Sequence, residues 1–298
     1  MSAPRRIVPG TTYLLSRRCF GRRFLLRPSN KVNRIFRFCL AVAAEKTGVL
    51  LHNFCVLGNH YHVVATDVHG NLPTFMHWLN EYVAKCVNAE LGRWEFFWAP
   101  GSYSAVALAD REDVIEKLVY VFTNPVDAGL VPGHEEWPGA ASLLAEIDAD
   151  PQVVHRPEGF FRERGPVPET ASLQLVSPWA FDGARSECLA TARIRILERE
   201  REVQRLTKQQ GLRFLGARKV LAQSPFSRPS TSEPRRGLDP RVASRDKWQR
   251  IEALQRLRRF LEAHRVALKR FVDGDRAAVF PFGTYGMRVR FAVACSGP

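Results

Sequence analysis

Between Val49 and Thr66 two apolar runs are separated only by Gly58-Asn59. A two-residue connection of that composition joins antiparallel neighbours, so this stretch predicts a hairpin, Val49 to Leu57 against His60 to Thr66. Side chains two apart on a strand share a face, which sends His60 and His62 out together. Two imidazoles side by side suit a divalent metal. The same spacing also arises between unrelated polar residues, so the pair needs company before it defines a site.

The flanking patterns fix what the hairpin belongs to. Thr12 to Phe20 reads as a first strand around Tyr13-Leu14-Leu15. Lys31 to Lys46 carries Val32, Ile35, Phe36, Cys39, Leu40 and Ala43 at helical spacing and stops at Gly48. After the hairpin, Leu72, Phe75, Met76, Leu79, Val83 and Cys86 mark a second helix with Pro73 in its first turn. Phe96 to Leu108 is strand-like, interrupted at Pro100-Gly101. The order strand, helix, strand, strand, helix, strand predicts an α+β, ferredoxin-like antiparallel sheet with helices.

A further helix begins near Ala109, with Val114, Ile115, Leu118, Val119 and Phe122 as its apolar stripe. Tyr120 falls roughly 160° from the centre of that stripe, and Asn124 lies one turn beyond it on the same polar side. Such a tyrosine reads either as an ordinary surface residue or as a nucleophile beside a third metal ligand. Asn124-Pro125 by itself reads as a helix stop.

At these residues the chain resembles a known family. Asn59-His60-Tyr61-His62 is similar to the His-hydrophobic-His motif of HUH endonucleases. Tyr120, Asn124-Pro125-Val126 and Ala128-Gly129-Leu130-Val131 resemble the tyrosine helix of single-tyrosine transposases, most closely the REP-associated tyrosine transposases. The resemblance covers about residues 10–145. Gly58 stands where proline is frequent and Asp127 where arginine is common. It implies the HUH fold and a nicking and rejoining enzyme acting on single-stranded DNA near hairpins. Tyr120 would form a 5′-phosphotyrosine link, and His60, His62 and Asn124 would hold Mg²⁺ or Mn²⁺. Ligand chemistry alone leans towards Mn²⁺ or Zn²⁺, because two imidazoles are poor partners for Mg²⁺. Two other functions stay open: a DNA-binding protein that has lost catalysis, and a metal-dependent hydrolase in which Tyr120 only positions DNA. The sequence also leaves open whether Tyr120 works with its own histidines or with those of a partner in a homodimer.

Charge supports a polyanionic partner. The net charge is +14, and it is blocked: residues 1–60 hold 11 basic against 1 acidic residue, residues 61–145 hold 4 against 11, and the remainder 29 against 18. Nucleic acid is the default partner for such a balance. Arg17, Arg18, Arg22, Arg23 and Arg27 cluster in and after the first strand, as phosphate contacts or as a solvated basic loop. Trp94, Phe96, Phe97, Trp98 and Tyr103 form a core cluster or a base-stacking surface.

Six scattered cysteines without a CxxC pair argue against a zinc knuckle or disulfide framework and fit a reducing compartment. Arg5 and Arg6 have no apolar segment behind them, and no stretch reaches the roughly 18 apolar residues of a membrane span. A cytoplasmic, nucleoid-associated protein is expected.

Beyond the family-like part, 146–178 is rich in Pro, Gly and charge and reads as a linker. A basic, mainly helical, DNA-binding extension is expected over 179–298. It would hold a charged helix (Ser186 to Gln210), a loop from Ser224 to Asp239, and a long helix with Trp248, Ile251, Leu254, Leu257, Leu261, Leu268 and Phe271 as its stripe. A closing strand is predicted from the alternation of Tyr285, Met287, Val289, Phe291 and Val293 with Arg288 and Arg290.

Overall fold

The computed structural model describes residues 4–162, 164–178, 185–230 and 241–297. Seven elements follow the predicted order: β1 (Thr11–Arg18), α1 (Asn30–Thr47), β2 (Val49–Leu57), β3 (His60–Asp67), α2 (Leu72–Glu90), β4 (Ser104–Leu108) and α3 (Arg111–Asp127). Ser29 starts α1 by accepting a hydrogen bond from the Val32 amide at 3.1 Å. Gly48 ends it at φ 69°, a left-handed position that glycine adopts without a Cβ penalty.

The strands form one mixed α/β sheet in the order β2-β3-β1-β4, each antiparallel to its neighbour, and β7 (Val242–Ala243) adds two residues parallel to β4. Leu57 pairs with His60 across the Gly58-Asn59 turn, as the two-residue spacing requires. One extra residue sits in β2 between Leu51 and Asn53, a bulge that occupies His52.

Period-two alternation sorts β3 onto two cores. Tyr61, Val63 and Ala65 face α1 and α2. The Tyr61 ring lies 5.3 Å from that of Phe36 and 5.6 Å from that of Trp98, and its hydroxyl donates to Asn80 Oδ1 at 2.9 Å. On the opposite face Cys55, Leu57 and Val64 pack with Val114, Ile115, Leu118 and Val121 of α3. Burying one such aliphatic side chain contributes about 1.5–3 kcal/mol, so this second core fixes α3 firmly on the sheet. The Asn53 amide adds a bond to the Leu118 carbonyl at 3.0 Å.

The C-terminal residues departed most from expectation. The stretch 146–178 is no bare linker. It forms a hairpin of β5 (Gln152–His155) and β6 (Thr170–Leu173) against α1, with Val167, Ala171, Leu173 and Leu175 in the main core. Its strands are four residues long and fourteen apart, too short to stand out from the surrounding Pro and Gly. The charged helix α4 (Arg185–Gln209) forms, but it buries Cys188, Ala192, Ile196 and Glu200 and leaves Ile194 and Leu197 exposed. Small residues at that spacing let it lie close along α3.

After α5 (Ala217–Ala222) comes the long helix α6 (Lys247–Val272), whose buried face is Phe260, His264, Ala267 and Phe271. Trp248 and Leu254 are exposed, so only the second half of the expected stripe is used. Residues 231–239 of the expected loop lie outside the described residues. The predicted closing strand is instead a short helix, α7 (Gly286–Phe291). Val289 and Phe291 are exposed and, among the described residues, no strand pairs with them, so the backbone bonds to itself, Val289 N to Tyr285 O at 3.0 Å. No helix among the described residues is long and apolar enough to cross a membrane.

His52 gives the fold a pH limit. Its Nδ1 donates to the Val176 carbonyl and its Nε2 accepts from Thr66, both at 2.7 Å. Burial pushes its pKa down to about 4, against the opposing pull of the Val176 bond and Asp148. The unfolded chain takes up this proton below about pH 6.5. Stability from this group is therefore full above that pH and falls between 6.5 and about 4, by about 2 kcal/mol at pH 5. Urea midpoints at pH 7 and pH 5 should differ less in His52→Gln than in the wild type; an identical difference refutes the assignment.

Candidate active site

A cleft of about 350 Å³ opens where β1, β3 and α3 meet. Its walls include His60 and His62 from β3, Tyr120, Asn124 and Asp127 from α3, and Ser16, Arg17 and Arg18 from β1. The sequence thus separates by about sixty positions what the sheet places side by side. Asp110 starts α3 by accepting from the Asp113 amide at 2.8 Å, and the apolar stripe seats the helix on β2, turning Tyr120 towards the histidines.

The two imidazoles stand edge to face with ring centres 4.9 Å apart. The Tyr120 ring is 5.1 Å from that of His62, and its hydroxyl lies 3.3 Å from His62 Nε2. Asn124 is buried one turn beyond Tyr120. The helix does not stop at Asn124-Pro125 but runs on to Asp127, ending where Ala128 N bonds Asn124 O and Gly129 turns left-handed at φ 68°. Near a helix end the missing proline N–H costs one bond, which this last turn tolerates.

Electrostatics keep both histidines neutral. Burial, with Arg18 adding to it, pushes His60 down to about 4. Burial, then His60, then Arg18 hold His62 well below the usual histidine range. Neutral imidazole is the form that binds a metal. His60 donates from Nδ1 to Asn59 Oδ1 at 2.6 Å, which leaves Nε2 with a bare lone pair. His62 Nδ1 is buried without a partner. Two neutral nitrogens and a nearby amide fit a divalent ion, with a donor set of borderline softness.

Asn59 carries no site role in the sequence reading, where it opens the quoted histidine motif. Besides orienting His60 it donates from Nδ2 to the Arg22 carbonyl at 3.3 Å, and its own carbonyl accepts from Cys19 N at 2.8 Å. Its sequence signals are its place in the turn and directly before His60 in the motif. Asp127, the cleft's carboxylate, is paired with Arg199 Nε of α4 at 2.8 Å, so the cleft's charge is set by Arg18, which stands across from His60 on the same face of the sheet. Arg199 comes from 72 residues on and has no local signal.

The five basic residues separate. Arg18 lines the cleft opposite His60, whereas Arg17 pairs with Tyr61 and turns its guanidinium to the other face of the sheet, 5.4 Å from the Trp98 ring. Arg22 and Arg23 stand on the loop tied to it through Asn59, Arg22 at the uncommon φ of 58°. Arg27 is spent on the Leu221 carbonyl. The aromatic cluster also divides: Phe97 and Trp98 are buried, whereas Trp94 and Phe96 are 90% and 81% exposed.

Fold and cleft together define a mixed α/β protein whose sheet and third helix bring two histidines and a tyrosine into one cleft. Among solved structures it is similar to a REP-associated tyrosine transposase bound to a REP hairpin, with 18% identity over 59% of this chain and 100% of that one, at a TM-score of 0.42. It is also similar to a candidate transposase from Deinococcus radiodurans R1, with 18% identity over 40% of this chain and 94% of that one, at a TM-score of 0.30. No protein-family model and no curated protein matches the chain.

Proposed function

We propose that the protein is a metal-dependent single-stranded DNA endonuclease and strand transferase of the HUH single-tyrosine type, acting near DNA hairpins. The observation that carries this reading is the meeting of His60, His62, Tyr120 and Asn124 in one cleft beside Arg18. The strand order β2-β3-β1-β4, with α1 and α2 on one face, agrees with the ferredoxin-like arrangement of that fold.

In this reading Tyr120 Oη attacks a backbone phosphorus in line, the P–O3′ bond breaks, and a 5′-phosphotyrosine and a free 3′-hydroxyl result. The covalent link conserves the bond energy for rejoining. Free tyrosine has a pKa near 10 and attacks poorly on its own. A divalent ion held by His60, His62 and Asn124 would supply charge stabilisation at the phosphate oxygens; Mg²⁺ or Mn²⁺ is the expected ion. Arg18 holds the phosphate backbone at the cleft wall. The exposed arginines of α6, among them Arg250, Arg258 and Arg259, provide an auxiliary DNA surface.

The test is a labelled single-stranded hairpin incubated with protein and Mn²⁺ or Mg²⁺. An adduct that survives a denaturing gel and disappears with EDTA supports the reading. Cleavage without an adduct replaces it with the hydrolase, and binding with neither replaces it with a non-catalytic DNA-binding protein.

Asn59→Ala probes the support around the histidines. It leaves His60 free to rotate and change tautomer, so Mn²⁺ affinity should fall about ten- to a hundredfold by calorimetry. Unchanged affinity would remove Asn59 from the site.

A further inference from the structure

A cavity of about 590 Å³ separates α6 from the sheet. One wall is Tyr13 of β1 with Ala105 and Ala107 of β4. Tyr13 pairs with Ala107 on one side and Ala65 on the other, so this wall belongs to the face that carries α1 and α2, away from the histidines. The opposite wall is Ala253, Leu257 and Leu261 of α6, all only half-buried. Leu257 and Leu261 belong to the apolar stripe expected from the sequence, and here they line open space, while α6 reaches the sheet through the short strand β7.

The charge around this space is one-sided. Arg5, Arg6, Arg241 and Arg256 line it against one carboxylate, Glu252. Arg5 is spent on Ser102 Oγ and the Tyr103 carbonyl, and Arg256 stands 3.7 Å from Glu252. The Arg6 side chain is half-buried and forms no hydrogen bond or ion pair with the described residues. Burial and then Arg256 lower its pKa, because two guanidiniums facing one space repel. Its stem is held in place: Arg6 bridges to Thr284, Ile7 N donates to Gly283 O at 2.9 Å, and a Cβ on Gly283 would lie 2.8 Å from Arg6 Cγ. A clamped stem with an unpaired head is the reverse of a surface arginine that swings into water. Thr11, Tyr13 and Gln249 are the uncharged polar side chains among the described lining residues, few for a sugar or a nucleobase.

We propose that this cavity binds a small organic anion, an apolar body carrying a phosphate or carboxylate head. The head pairs with Arg6 and Arg256, and the body lies between Ala105 and Ala107 on one side and Leu257 and Leu261 on the other. The volume falls within the range of about 300–1,000 Å³ typical of small-molecule sites. The bound molecule links α6 to the sheet, and its site is independent of the cleft and of the chemistry proposed there.

The experiment titrates the full-length protein by calorimetry with naphthyl phosphate and naphthoate, and with neutral naphthol and inorganic phosphate beside them. At least one naphthyl anion should bind at a single site, about tenfold or more tightly than naphthol or inorganic phosphate, and should raise the melting temperature. Arg6→Gln should weaken that binding about tenfold. Glu252→Gln removes the competing carboxylate and should strengthen it, a gain that a poorly folded variant could not give. Ala253→Phe fills the space from the helix side and should abolish it. Wild-type affinity in Arg6→Gln, or no saturable binding of either naphthyl anion, overturns the proposal. So does displacement of the probe by a DNA hairpin whose own affinity falls in Arg6→Gln, which would make the cavity part of the DNA surface.

Discussion

Tyr120→Phe should abolish the covalent protein–DNA adduct, a loss of at least about a thousandfold, while hairpin binding stays at the wild-type level. The substitution removes one oxygen and keeps the ring that packs 5.1 Å from His62. Tyr120 is 37% exposed, so losing its hydroxyl bond to His62 costs the fold little. Among the described residues nothing else in the cleft replaces the phenol in kind: Ser16 is the other hydroxyl on its walls, and it comes from β1, not from α3. The decisive readout is a radiolabelled hairpin on a denaturing gel with a filter-binding measurement beside it. An adduct formed by Tyr120→Phe would move the nucleophile elsewhere. Undiminished cleavage without an adduct in both proteins would make Tyr120 a positioning residue.

That expectation could be framed from sequence because the signals for His60, His62, Tyr120 and Asn124 are local. Alternation on one short strand pairs the histidines, and the 3.6-residue period turns Tyr120 off its stripe and stacks Asn124 above it. The same periods delivered β1 to α3, since each element there is amphipathic on its own. What was illegible depends on contacts distant in the chain. The hairpin at 152–173 is held by α1, and the true face of α4 is set by α3, against which Ala192 packs better than the larger Ile194. The alternation at 285–293 imitated a strand because a run of nine residues satisfies either period when no partner edge is specified.

The supporting residues of the cleft were hidden for the same reason. Arg199 neutralises Asp127 across 72 positions, and Asn59 acts through two bonds that only the folded turn creates. The aromatic cluster at 94–103 shows the limit clearly. Composition could not divide it, and the fold did, burying Phe97 and Trp98 while leaving Trp94 and Phe96 in solvent.

His62→Ala should lower affinity for Mn²⁺ by at least about a hundredfold and take adduct formation with it. His62 is the more enclosed of the two histidines, held neutral by burial and by His60 and Arg18, with Nδ1 unpartnered. A buried ring in that state is unfavourable unless something pairs with it. Removing it should therefore leave the fold intact or slightly more stable in metal-free buffer, the opposite of what a packing residue would do. His60→Ala should show the same loss of metal affinity, and it should also free Asn59 Oδ1, loosening the loop that carries Arg22 and weakening hairpin binding in EDTA. The two variants thus part company in the absence of metal, where only His60→Ala affects DNA. Calorimetric titration with Mn²⁺ and thermal melts in EDTA read both effects without any activity measurement. Wild-type Mn²⁺ affinity in His62→Ala would show that the paired histidines do not hold the ion, and the chemistry assigned to Tyr120 would then need another source of charge stabilisation.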